Sequence, residues 1–157
     1  MARPEIKTWQ NLEAAFAGES MAHIKYRYFA KLARAAGDED TARIFEQTAD
    51  QEVMHAFGHL DLLYPAADIT PAKALQIAIE GETYEYSEMY PGFRRAAEEE
   101  GNAAAVAEID GQIAESREHA DRFRGVLAKA ARRFAALAKV EERHAEHYRR
   151  ALARVAA

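Results

Sequence analysis

Apolar positions along the chain fall into four stripes at helical spacing, and each stripe predicts a helix with one face turned inward. Leu12, Phe16, Glu19, Ala22, Tyr26, Phe29 and Ala33 form the first, which ends near Gly37. The second opens around Asp38 to Thr41, acidic residues suited to a helix start, and runs through Phe45, Thr48, Glu52, His55, His59 and Leu63. It stops before Pro65. Residues 64–70 read as a linker, closed by Thr70-Pro71, an N-cap followed by proline at the first helical position. Leu75, Ala78, Glu82, Glu85, Met89 and Phe93 make the third stripe, and Phe134, Leu137, Glu141, His144, Tyr148 and Leu152 the fourth. Residues 102–133 are helix-forming too. A reversal at Asp110-Gly111 would fold them into an extended hairpin that brings Glu82 level with Glu141, and the midpoint of those positions favours it. A reversal at Gly101-Asn102 would instead make 103–129 an additional helix.

Each inward stripe carries carboxylates at its middle. Buried glutamate is rare unless it is paired or bound to a metal, so four such stripes call for a cation. Residues three apart on a helix point to one side, so Glu52 with His55, and Glu141 with His144, can each grip one ion. Glu19 and Glu82 lie on the other two helices, where they can cap or bridge, and Glu85 adds a carboxylate one turn after Glu82. Five carboxylates and two histidines match the charge of two divalent ions better than one. A weak internal repeat supports the pairing: residues 15–20, AFAGES, resemble residues 78–83, AIEGET. The order is Glu helix, Glu-x-x-His helix, Glu helix, Glu-x-x-His helix. That is the donor pattern of ferritin-like di-iron and di-manganese four-helix proteins. Carboxylate and imidazole ligands suit Fe(II) and Mn(II).

Composition narrows the remaining choices. A chain of 157 residues is about one domain, here 1–157, and 49% hydrophobic content with 8 glycines and 4 prolines favours an all-α fold. The net charge of −5 is mild and its signs are interspersed, which leaves no basic stripe for nucleic acid. With no cysteine, these residues hold no disulfide, thiol nucleophile or iron–sulfur ligand. No apolar run approaches the roughly 20 residues of a membrane span, and residues 1–10 lack the apolar stretch of a secretory signal. A cytoplasmic protein is expected.

The chain resembles the rubrerythrin family. The likeness lies in residues 15–20 (AFAGES), Glu52-x-x-His55-Ala56, residues 81–85 (GETYE), Met89-Tyr90-Pro91 and Glu141-x-x-His144-Ala145. It implies a ferritin-like four-helix bundle with an extended hairpin or extra helix at about 102–133. It implies a non-haem di-iron peroxidase that reduces hydrogen peroxide to water; ferroxidase and iron handling is the alternative, and a metal-free helical interaction module the third. By motif, Glu19, Glu52, His55, Glu82, Glu85, Glu141 and His144 would hold two iron ions, with manganese as a possible substitute. Glu85 and His55 would exchange on one iron with redox state, and Tyr26 and Tyr90 would hydrogen-bond the carboxylates. A C-terminal rubredoxin domain is typical of the family, and its four cysteines have no counterpart here. Electrons are therefore expected from an external donor such as a rubredoxin. A homodimer is expected as well. One departure stands out: Ser116-x-x-His119 occupies the place where an uninterrupted family alignment expects Glu-x-x-His. The reading keeps Glu141 and His144 as ligands because the glutamate is present only there, and takes His23 and His119 as structural or exposed.

Overall fold

The computed structural model describes residues 7–155 and is helical almost throughout, with no strand among those residues. Its elements are α1 (Thr8–Ala35), α2 (Glu39–Leu63), α3 (Pro71–Tyr84), a π-helical turn (Glu85–Met89), α4 (Tyr90–Glu99) and α5 (Ala103–Val155). The chain divides into two compact units, one ending at Thr70 and one beginning at Pro71. Among the described residues no helix is long and apolar enough to cross a membrane.

In the first unit α1 and α2 form an antiparallel hairpin. Its turn follows from two adjacent residues. Gly37 adopts φ +83°, a left-handed conformation that favours glycine. That lets the Gly37 N–H reach Arg34 O (3.0 Å) and the Asp38 N–H reach Ala33 O (3.0 Å), which closes the end of α1. Asp38 then caps α2 by accepting from the Thr41 N–H at 3.0 Å. The buried positions of α2 are Ala42, Ala49, Ala56 and Leu63, spaced by seven residues. Mostly alanine along a seven-residue seam lets two backbones approach closely, and Ala30 answers from α1 at 1% exposure. His23 on α1 ties the hairpin further, with Nδ1 2.8 Å from the Ala49 carbonyl of α2. Phe45 packs between the rings of Tyr26 (5.8 Å) and Phe29 (5.6 Å).

The second unit repeats the device. Gly101 has φ +70°; its N–H reaches Glu98 O (3.0 Å), the Asn102 N–H reaches Ala97 O (2.9 Å), and the Asn102 side chain caps α5 through the Ala105 N–H at 3.1 Å. The reversal favoured at Asp110-Gly111 is therefore corrected to Gly101-Asn102. A helix–helix turn needs its glycine just past the last helical residue and its cap after the glycine. Gly101-Asn102 has that order and Asp110-Gly111 has the reverse. Residues 103–129 then do not form a separate helix. They are the first half of one 53-residue helix, α5, about 80 Å long. Arg94 on α4 locks the hairpin by donating to Asp110 of α5 at 2.6 Å. The fourth stripe, from Phe134 to Leu152, lies on the distal half of α5. Phe134 is 71% exposed and Leu137 50%, so the inward face expected there is an exposed one in this structure.

Candidate metal centre

Glu19 projects from the middle of α1, and Glu52 and His55 from the facing stretch of α2. Residue 55 lies one turn beyond residue 52, so both side chains emerge on the same face. His55 Nδ1 stands 2.9 Å from Glu52 Oε2 and 3.8 Å from Glu19 Oε2. One donor atom from each of the three falls within 4.8 Å of the others. The Glu52 side chain is 15% exposed, the least solvated of the three, and His55 faces outward. The set fits a hard or borderline divalent ion. Two carboxylates and one imidazole converge without a thiolate, and a cation reached by all three would offset charge that water cannot fully screen.

The second unit places Glu82 and Glu85 around the junction of α3 with the π-helical turn. There the Tyr90 N–H donates five residues back, to Glu85 O, so the turn is widened beside the carboxylate. Opposite stand Ser116 and His119 of α5. Ser116 Oγ donates to Glu85 Oε2 at 2.9 Å, and His119 Nδ1 lies 3.4 Å from Glu82 Oε1. Thr83, between the two glutamates, donates to Ile79 O at 2.6 Å and accepts from Arg124 at 2.8 Å. The same guanidinium holds the Tyr86 phenol below its ordinary pKa. Tyr90 shifts the other way: burial first, then the charges of Glu85, Glu82 and Glu108, push its hydroxyl up and keep its proton in place.

Glu141 and His144 pair with one another at 3.7 Å on the exposed distal half of α5. They lie 25 residues beyond Ser116 and His119, about 37 Å along the helix. Opposite Glu82 and Glu85 the structure thus brings Ser116 and His119. Tyr26 packs its ring against Phe45. His119 and Ser116 are the residues that sequence reasoning undervalued. The signal was present as a second repeat: residues 116–123 (SREHADRF) and 141–148 (EERHAEHY) share histidine, alanine, an acid, a base and an aromatic in register. At 100° per residue a 25-residue offset falls only about 20° short of seven full turns, so both histidines lie near one face of α5.

Comparison with known proteins places this donor chemistry in context. The rubrerythrin family model matches residues 10–127. Nigerythrin of Nitratidesulfovibrio vulgaris is 40% identical over 129 residues, covering 74% of this chain and 63% of that protein. Rubrerythrin of the same organism is 40% identical over 129 residues (74% and 67%), and rubrerythrin of Porphyromonas gingivalis 38% over 134 residues (78% and 66%). The chain therefore spans about two thirds of the length of these relatives. A solved structure of nigerythrin in its fully reduced, all-ferrous state is 35% identical, covers 82% of this chain and 70% of its own, and superposes with a TM-score of 0.41.

Proposed function

Because the chain belongs to the rubrerythrin family, whose fold class is all-α and ferritin-like, we propose that residues 1–157 act as one di-iron domain that reduces hydrogen peroxide to water. The observation that carries the reading is the convergence of Glu19, Glu52 and His55 within 4.8 Å. Glu82 and Glu85 are the matching carboxylates of the second unit, and Glu141 with His144 completes the proposed ligand set. When bound, the iron pair supplies the two electrons that cleavage of a peroxide O–O bond takes up. The chain's own residues hold that charge and govern protons. Glu52 orients the His55 ring through Nδ1. Tyr90, its hydroxyl kept protonated by burial and by Glu85, is a neutral donor beside the carboxylates. Electrons come from an external donor such as a rubredoxin, and a homodimer is the proposed assembly.

Two measurements on the anaerobic full chain test this. Iron content with stopped-flow oxidation should give two irons per chain and faster oxidation by peroxide than by dioxygen; the reverse preference assigns a ferroxidase instead. His144→Gln should lower iron content and His119→Gln leave its stoichiometry intact. Loss of iron on replacing His119 alone transfers the ligand role to that residue.

A further inference from the structure

Hydroxyl side chains inside helices usually bond back to the carbonyl one turn earlier. Ser20, Thr48, Thr83 and Ser87 do so, each donating to the residue four positions before it at 2.6–2.9 Å. Ser116 breaks that habit. Its Oγ turns across the helix pair to Glu85 Oε2, 31 residues away in sequence, at 2.9 Å. It is also the buried polar residue among those described, at 4% exposure, beside Ala120 at 0%. A buried hydroxyl with a local acceptor in reach gains little by spanning two helices unless its partner is charged, where the bond is roughly twice as strong as a neutral one. Glu85 opens the π-helical turn and is flanked by the widened backbone, so its side chain lacks the regular packing of a helix interior to fix it. Only one carboxylate oxygen takes the serine bond, which leaves the other free to act as a ligand.

We infer that Ser116 is a positioning residue: its hydroxyl holds one oxygen of Glu85 and presents the other toward the metal. The inference rests on Glu85 being a ligand, as proposed above. It also gives the serine at this point of α5 a task, since a carboxylate there would repel Glu85 where the hydroxyl holds it.

The test uses the full chain, Co(II) as the probe, and Ser116→Ala beside Ser116→Thr. Loss of a partner that orients a ligand typically weakens metal affinity roughly 10–100-fold. Ser116→Ala should weaken Co(II) binding by that order and change the visible ligand-field spectrum. Ser116→Thr, which keeps the hydroxyl, should restore both to within a few-fold of the parent. Equal affinity and spectrum for alanine and parent would overturn the inference, as would a threonine variant that behaves like alanine. A thermal double-mutant cycle of Ser116→Ala with Glu85→Gln in metal-free protein reads the hydrogen bond without any ion. Additive shifts overturn the positioning role. Coupled shifts with no Co(II) bound by the parent overturn the metal reading and leave the contact standing.

Discussion

The α1–α2 and α3–α5 hairpins are built on one plan and differ where the chemistry is. Both turn on a left-handed glycine followed by an Asx cap, Gly37-Asp38 and Gly101-Asn102. Both set a hydroxyl residue just after a glutamate, and Ser20 and Thr83 each bond the carbonyl one turn back. Both bring a histidine within 4 Å of a carboxylate on the facing helix, His55 to Glu19 and His119 to Glu82. The residue three before that histidine differs: it is Glu52 in one and Ser116 in the other. In the first hairpin the carboxylate adds charge beside the imidazole. In the second the hydroxyl spends its hydrogen on Glu85. The lesson is that the packing frame fixes where side chains meet, while a single position decides how much negative charge they bring.

The seams of the two hairpins invite the largest disruption. Ala49 is fully buried in the seven-residue row of α2 and its carbonyl meets His23. Ala49→Leu should overpack that seam at a cost of about 1–3 kcal/mol, read as a Tm lowered by several degrees in thermal unfolding. An unchanged Tm would mean the helices are not in close contact there.

Next in size is the turn. A Cβ on Gly101 would meet no atom within 4 Å, so only its positive φ resists substitution. Gly101→Ala should destabilise by about 1–2 kcal/mol. Gly111→Ala, in mid-helix with equally open surroundings, should stabilise by roughly 0.5–1 kcal/mol. Opposite signs in denaturant melts locate the reversal at residue 101; equal signs would return it to the Asp110-Gly111 alternative.

The smallest expected effect separates the hairpins by pH. Arg34 donates to both Glu39 (3.1 Å) and Glu46 (2.9 Å), and those bonds hold both carboxyls below their ordinary range. A depressed folded pKa means stability that is present above the unfolded value and lost as pH falls through the folded one. The parent should therefore lose more stability than Arg34→Gln as pH drops from neutral into the acid carboxylate range. Parallel pH profiles would remove Arg34 from the account.

Much of this was legible before any coordinates. The ends of α1 and α2 and the start of α3 followed from Gly37, Asp38, Pro65 and Pro71, because local backbone chemistry at those residues leaves few alternatives. Glu19, Glu52 and His55 were recognisable because charge at the middle of an apolar stripe needs a partner. The partner of Glu82 and Glu85 was not. Spacing gives the face on which a residue lies and not the level at which another helix passes it. Two candidate turns, ten residues apart, brought different stretches of α5 to that level.

Residue by residue, then, the sequence determined the helices, their donor faces and the carboxylate-rich chemistry, since 3.6-residue periodicity and capping are local properties. Tertiary structure alone decided that Ser116 and His119 stand opposite Glu85 and Glu82 and that Glu141 and His144 lie further along α5. Register between two helices is fixed by the whole length of their contact and by the turn that joins them, and no single residue encodes it.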